Sequence, residues 1–253
     1  MFVEERQDLI LKELLEKGSV RVKELSERFN VTEDLIRKDL SALEKLGKCK
    51  KIYGGAIPSK QNVNRKKASQ RKTLNLEEKK KIAQKAVGLI QEGNVVFLDI
   101  STTVVELARE IARQNLNITV VTNSLEAVNL LIPSDVNVIF IGGELDYGKD
   151  GFVGSLADQM LENFHFDLAF CGVVGLDLEE NAVYTYMAKD GVTKKMVVER
   201  SKAVYLLADH DKFNQLGNYK YTTIDSVTGL ITDQKLNSIQ RKYCRKYGLE
   251  CFE

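Results

Sequence analysis

The 253-residue chain is poor in the residue types on which several functional classes depend. It has four cysteines, Cys49, Cys171, Cys244 and Cys251, with no Cys-x-x-Cys spacing, and only two histidines, His165 and His210. A structural zinc site needs closely spaced thiolate and imidazole ligands, so none is expected, and no cofactor is implied. The thiols are expected to be reduced and unpaired, as in a reducing compartment. A Ser-His-Asp or Cys-His catalytic arrangement would have to draw on one of two imidazoles. No apolar run approaches the roughly 18 residues that span a bilayer, and Met1-Phe2-Val3-Glu4-Glu5-Arg6 lacks the basic-then-apolar pattern of a secretion signal. The expectation is a cytoplasmic protein with no membrane partner. Hydrophobic residues make up 43% of the chain and charged residues 29%, enough for one large globular domain or two smaller ones.

Charge of one sign is also missing overall, since the net charge is +1, but it is concentrated locally. Residues 45–85 hold 14 Lys and Arg against two Asp and Glu, while the stretches on either side are net negative. Clustered cations suit a polyphosphate backbone, whose condensed counterions are released on binding. A solvated linker is the other reading of such a run.

Three helices are expected before residue 48. Ile10, Leu11, Leu14 and Leu15 form an apolar stripe that Gly18 stops; Val22, Leu25 and Phe29 share one face of a short second helix. Thr32 is a good N-cap, Glu33 and Asp34 suit the positive end of a helix dipole, and Ile36, Leu40 and Leu43 recur until Gly47. A supporting helix followed by two helices across a tight turn is a helix-turn-helix candidate, whose later helix enters the DNA major groove. Arg37, Lys38 and Ser41 lie off its buried face. Lys48 to Ala56, with the pair Gly54-Gly55, would form a small basic hairpin, a wing placed to grip phosphate. Thr32, Arg37, Lys38 and Ser41 are the groove candidates, with Lys48, Lys50, Lys51 and Tyr53 on the wing.

These residues resemble a known family. Thr32-Glu33-Asp34-Leu35-Ile36-Arg37-Lys38-Asp39-Leu40, followed by Leu43, Gly47, Lys50-Lys51 and Tyr53-Gly54-Gly55-Ala56, is similar to the signature of DeoR-type winged-helix repressors. Leu35 stands where that signature usually has Thr, Lys38, Lys50 and Lys51 where it has Arg, and Tyr53 where it has His. Lysine keeps the charge but loses the bidentate fork, which favours phosphate contacts over base reading.

Pro58, one of two prolines, opens a stretch read as a linker over 58–75, in which Lys60, Arg65, Lys66, Lys67, Arg71 and Lys72 could track DNA phosphate. From residue 76, helical patterns alternate with short Val/Ile/Phe-rich runs at 95–98, 118–121, 136–141, 166–171, 203–207 and 227–231, the pattern of an α/β fold with a parallel sheet covered on both faces. Helices are expected over 77–92, 103–113, 124–131, 155–163, 188–200 and 234–247. The loops after the strands are small and polar, and in an open parallel sheet they gather at one edge, where ligands bind. Asp99, Ser101, Thr102, Thr103, Thr122, Asn123, Ser124, Gly142, Gly143, Gly175, Asp177, Asp209 and Lys212 are the candidates there. Hydroxyls and N–H groups at a helix start favour phosphate, glycines allow close approach, Lys212 adds positive charge, and Asp99 and Asn123 suit sugar hydroxyls. Ser and Thr after a strand are also ordinary helix caps, and Gly-Gly an ordinary turn.

The spacing of Asp99-Ile100-Ser101-Thr102-Thr103, Val121-Thr122-Asn123-Ser124, Gly142-Gly143, Gly172 to Asp177 and Ala208 to Phe213 is similar to the DeoR-type sensor domain. The resemblance implies a sensor related in fold to ribose-5-phosphate isomerase that binds a phosphorylated sugar and then releases DNA. Ser101 stands where that family usually has Gly, and Asp190-Gly191 where it often has Glu-Ala. The implied domains are a winged helix over 1–57 and a sensor over 76–253, the implied partners an operator DNA and a phosphorylated sugar, and the implied assembly a homo-oligomer. Repression and activation both remain open at this level. Two other readings compete: an aldose-ketose isomerase using Asp99, Asp177 or Asp209 with Lys212, which has no need of a fused winged helix, and a constitutive architectural DNA binder, which has no need of polar loops gathered at one sheet edge.

Overall fold

The computed structural model describes residues 2–59, 61, 62 and 68–253. Lys60, Val63, Arg65, Lys66 and Lys67 of the expected linker lie outside the described residues, as do the side chains of Leu15, Gln61, Asn62, Ala68 and Ser69. The chain divides into two compact units, Met1–Asn62 with Leu236–Tyr243, and Val63–Lys235 with Cys244–Glu253.

In the first unit, α1 (Val3–Lys17) ends where Gly18 takes a left-handed φ of 75° and donates its N–H to the Leu14 carbonyl. A two-residue strand β1 (Val20–Arg21) leads into α2 (Val22–Phe29), and Asn30, also left-handed, closes that helix. Thr32 caps α3 (Glu33–Lys45) by accepting the Leu35 N–H at 3.3 Å. The hairpin β2 (Cys49–Ile52) and β3 (Gly55–Pro58) follows, then β4 (Gln61–Asn62). Ile10, Leu14, Leu25, Ile36, Leu40 and Leu43 pack with Val20, Val22, Cys49 and Ala56 in one buried core. Truncating any of the large ones to Ala would cost about 2–5 kcal/mol. The third strand, β1, adds antiparallel to β3 and makes the sheet β1-β3-β2. It escapes sequence reading because two residues carry no alternation. Gly55 permits it: a Cβ there would lie 1.9 Å from the Val20 carbonyl oxygen.

The second unit begins with α4 (Ala68–Lys72), a short helix inside the stretch read as linker, and α5 (Leu76–Val87). The helix expected to reach residue 92 stops at Val87, and Gly88 and left-handed Gly93 bracket the turn that follows. Strand–helix repeats then run β5 (Val95–Leu98), α6 (Thr102–Gln114), β6 (Thr119–Thr122), α7 (Leu125–Leu131) and β7 (Asn137–Phe140). The hairpin β8 (Glu144–Leu145) and β9 (Phe152–Val153) precedes α8 (Ser155–Leu161) and β10 (Phe166–Gly172). Next come β11 (Gly175–Asp177), β12 (Ala182–Thr185), α9 (Ala188–Glu199), β13 (Ser201–Leu207), β14 (Gln215–Leu216) and β15 (Tyr219–Thr222). The chain finishes with β16 (Gly229–Ile231), α10 (Ser238–Tyr247), of which the residues up to Tyr243 group with the first unit, and β17 (Glu250–Phe252). Seven strands pair in the order β17-β16-β13-β10-β5-β6-β7, every pair parallel. The α/β class and parallel sheet expected from the apolar runs are present. The antiparallel sheet β11-β12-β15 and the β8–β9 hairpin were not anticipated, since each strand is only two to four residues long.

Strand order places the functional edge. The chain winds outward from β5 through β6 to β7, then returns to lay β10 on the other side of β5. The connections after β5 and β10 therefore leave in opposite directions and open a crevice beyond the strand ends, the position where open parallel sheets bind ligands.

Candidate functional site

Asp34, Arg37, Lys38, Ser41, Ala42 and Lys45 line a shallow groove along the outer face of α3. Arg37 is half exposed and held by Glu33 at 2.5 Å and Asp34 at 2.7 Å. The Ser41 hydroxyl donates to the Arg37 carbonyl at 2.7 Å and accepts from Lys51 Nζ at 2.8 Å, so wing and helix are tied through it. The Lys51 N–H also donates to Glu44 Oε1 at 2.8 Å. Lys38, Lys48 and Lys50 are exposed, and Tyr53 stands fully exposed at the hairpin tip beside left-handed Gly54. Thr32 is occupied as the helix cap.

Sequence reasoning missed the clamp that sets this helix. Arg6 Nε and Nη2 donate to the two carboxylate oxygens of Asp39 at 2.6 and 3.2 Å, and Gln7 Nε2 adds a third bond at 3.2 Å. Both charged side chains are 4% exposed, and the hydrogen bond to Asp39 raises the Arg6 pKa. The available signal was periodicity: Asp39 falls on the same face as Ile36, Leu40 and Leu43, and a carboxylate on an apolar face needs a partner.

In the second unit a small, partly open cleft lies beyond the ends of β5 and β10. Ile100 and Ser101 follow β5, Gly172, Val173 and Val174 close β10, and Thr185, Met187, Asp190 and Lys194 come from β12 and α9. Arg71 of α4 and Asp146, Gly148 and Asp150 of the β8–β9 hairpin complete the rim. Of the sheet-edge residues expected from sequence, Ser101 lines this cleft and Asp99 lies buried beneath it. Ser101 caps α6, accepting the Thr103 N–H at 3.2 Å. Its hydroxyl fits because residue 172 is glycine: a Cβ there would lie 2.1 Å from Ser101 Oγ.

The other candidates do not line this cleft. Thr102 and Thr103 are buried in the first turn of α6. Thr122 Oγ1 donates to the Leu98 carbonyl at 2.6 Å, and Ser124 caps α7. Asn123 exchanges backbone and side-chain bonds with Phe152 and so anchors the hairpin. Gly143, at a φ of 152°, approaches the Val153 carbonyl, and a Cβ on Gly175 would meet the Gln215 carbonyl at 2.0 Å. A Cβ on Gly142 would meet nothing within 4 Å, and Gly142 is not among the cleft-lining residues. Asp177 Oδ1 accepts the Glu180 N–H in the β11–β12 turn, and Asp209 caps the short helix His210–Lys212. Lys212, expected to supply the cation, does not line the cleft.

Lys194 and Arg71 are the cations that line the cleft. Gly191, Lys194, Val197 and Val198 form the buried face of α9, so lysine occupies a core position at 4% exposure. Its Nζ donates to Asp99 Oδ2 and lies 3.5 Å from Asp190 Oδ1. Asp99 Oδ2 also accepts the Gly172 N–H at 2.9 Å, and the Thr185 hydroxyl donates to Asp190 Oδ2. Burial raises the Asp99 pKa, Lys194 opposes it, and the balance is about 6. Burial alone would lower Lys194, but Asp190 and Asp99 outweigh it and hold the ammonium above its usual range. The cleft thus brings two cations, Arg71 and Lys194, and the Ser101 and Thr185 hydroxyls together with the carboxylates of Asp146, Asp150 and Asp190, and the Lys194 ammonium is shared between Asp99 and Asp190. Among the described residues no group of three or more His, Cys, Asp and Glu is placed to hold a metal, and no described helix is long and apolar enough to cross a membrane.

Comparison with known proteins matches both units. The family described as a DeoR-like helix-turn-helix domain matches residues 6–62, and that described as a DeoR C terminal sensor domain matches residues 74–234. The lactose phosphotransferase system repressor of Streptococcus mutans is 34% identical, covering 91% of this chain and 92% of its own. The HTH-type transcriptional regulator GolR of Listeria innocua is 32% identical over 98% of each chain. Among solved structures, eIF2B delta from Chaetomium thermophilum superposes with a TM-score of 0.50 at 13% identity, covering 64% of this chain and 57% of its own. Ribose 5-phosphate isomerase A from Methanocaldococcus jannaschii gives 0.42 at 20% identity, over 55% of each chain. The relatives are named as transcriptional regulators and repressors, and the residues an isomerase would use do not meet in the cleft, so the enzyme reading is set aside. The chain belongs to the DeoR family of helix-turn-helix transcriptional regulators.

Proposed function

We propose that the protein is a repressor of a carbohydrate-metabolism operon, and that a phosphorylated sugar bound in the sheet-edge cleft releases it from its operator. Residues 1–57 are the DNA-binding part and 76–253 the sensor. The observation that carries the effector assignment is the meeting of two cations in one cleft, Lys194 at its floor, shared between Asp99 and Asp190, and Arg71 at its rim, whose buried Nε has no hydrogen-bond partner among the described residues and suits an anionic ligand. Ser101, Gly172 and the backbone beside them suit the phosphate, and Asp146 and Asp190 suit sugar hydroxyls. The names of relatives, among them a lactose phosphotransferase system repressor, support a sugar-linked operon.

On DNA, Arg37, Lys38 and Ser41 face the groove, and Lys48, Lys50, Lys51 and Tyr53 hold phosphate. Thr32 acts through the helix cap. Helix-turn-helix proteins commonly read two half-sites as symmetric dimers. A cytoplasmic homo-oligomer is therefore part of the proposal, and the exposed Leu156 and Met160 of α8 are consistent with self-association.

Fluorescence anisotropy on DNA from upstream of its own gene, at two salt concentrations and with a panel of hexose and pentose phosphates, tests the proposal. Tight, salt-dependent binding that one phosphorylated sugar releases is the expected result. Operator binding that every sugar phosphate leaves unchanged would overturn the effector assignment, and tighter binding with the sugar would make it a co-repressor.

A further inference from the structure

The stretch from α4 to Asn75, ten residues beyond the DNA-binding part in sequence, is a strap held on the sensor unit by polar contacts to four places. Lys72 Nζ pairs with Glu126 of α7 at 2.7 Å. Asn75 Nδ2 donates to Asp211 beyond β13 at 2.7 Å. From α5, the buried Lys79 donates Nζ to the carbonyls of both Arg71 and Leu74. Arg71 alone among these residues also lines the cleft. Its Nη2 reaches Asp150 Oδ2 at 3.3 Å, with the two side chains 25% and 12% exposed.

That ion pair is half made. A guanidinium and a carboxylate ordinarily meet through two parallel bonds. Here Arg71 Nε and Asp150 Oδ1 are each buried with no hydrogen-bond partner among the described residues. A buried donor left open beside a cleft is a standing preference for a ligand that fills it. A tetrahedral oxyanion offers the two oxygens that Nε and Nη2 together require, and it carries more charge than the carboxylate it displaces.

We propose that Arg71 is the residue that reports occupancy of the cleft to the strap: an anionic group of the effector takes the guanidinium from Asp150, and the strap moves with it. The inference rests on the anion-binding reading of the cleft. Lys194 supplies the fixed charge at the floor, and Arg71 supplies the charge that changes partner. Arg71 is gripped through its own carbonyl by Lys79, so displacement of its side chain is felt at the backbone of α4. Because an effector shifts an equilibrium only through contacts that differ between two states, this exchange of partners is the differential contact the release of DNA requires.

Calorimetric titration of the full chain with inorganic phosphate, ribose 5-phosphate and glucose 6-phosphate, paired with hydrogen exchange at amides 70–76, tests this. Arg71→Gln is expected to weaken the anion by about tenfold or more and to erase its effect on strap exchange. Arg71→Lys, which keeps the charge and loses the fork, falls between it and the parent. Asp150→Asn, which removes the competitor, strengthens the anion while loosening the strap of the free protein. Opposite signs for Arg71→Gln and Asp150→Asn support the exchange of partners; the same sign, or no change from either, overturns it. If Lys194→Met abolishes binding but Arg71→Gln leaves both affinity and strap response intact, this inference falls while the cleft assignment stands. If the parent binds none of the three anions, both fall together.

Discussion

Each unit of the molecule buries one closely held ion pair, Arg6 with Asp39 in the first and Lys194 with Asp99 in the second, and the side chains are almost equally inaccessible. Their settings differ. Around Asp39 both carboxylate oxygens are filled by Arg6 and Gln7, which ties α1 to the outward-facing helix α3. Around Lys194 there are two carboxylates, a neighbouring tyrosine ring at 5.9 Å and an open cleft. A buried charge whose bonds are all made inside the fold is architecture, and removing one partner strands the other. Lys194 is paired with Asp99 and Asp190 too, but at the border of a cleft rather than inside a closed core.

The comparison would be broken most sharply in the first unit. Arg6→Ala leaves the buried Asp39 without its cation and is expected to cost about 3–5 kcal/mol. Urea denaturation should show the DNA-binding unit unfolding early with operator binding abolished, and an unchanged midpoint would mean the clamp is dispensable. Replacing both partners with apolar residues, Arg6→Met with Asp39→Leu, should recover most of that stability.

Lys194→Met is expected to cost less stability, because Asp99, whose pKa burial already pushes to about 6, can take up a proton. Its effect belongs to the ligand: affinity for the sugar phosphate should fall about 100-fold, of the order expected when a charged, hydrogen-bonded partner is removed from a buried site. A variant that binds the effector normally would move the site elsewhere.

A smaller effect distinguishes the pairs by pH. The folded pKa of Asp99 is raised above the unfolded value of about 4, so the stability it contributes is present below about 4 and is lost as pH rises through about 6. Melting curves of the parent between those values should therefore carry a declining contribution that Asp99→Asn removes, and identical pH profiles would contradict the assignment. The smallest effect is at the wing. Lys50→Ala should weaken binding to all DNA sequences and flatten the salt dependence by about 0.9 in slope for each phosphate the wing no longer neutralises. A change in operator preference with an unchanged slope would make Lys50 a base-reading residue.

Much of the DNA-binding unit was legible because its signals are local. Apolar spacing, a Thr cap and stop residues at Gly18 and Asn30 each act within one turn of helix, and those helices form where the spacing places them. The parallel sheet was legible for the same reason, since buried strands read as short apolar runs. The cleft was less so. Asn123, Asp177 and Asp209 read as ligand groups in strand-end loops; in the fold they bond to a hairpin, a turn and a short helix and do not line the cleft, and the same polar chemistry serves either use. Lys194 and Arg71 were missed as cleft residues because one sits mid-helix and the other in a basic run read as linker, and neither position resembles a site until α9 and α4 are set against the sheet.

The three N-terminal helices, the hairpin after them and the α/β class were determined by the sequence itself, because periodicity, caps and stop residues are properties of near neighbours along the chain. The tertiary structure alone decided which cations line the cleft and which polar loop residues do not. Those assignments depend on groups 73 to 95 residues apart, Asp99 with Gly172 and Lys194, and Arg71 with Asp150, whose meeting follows from strand order and helix packing.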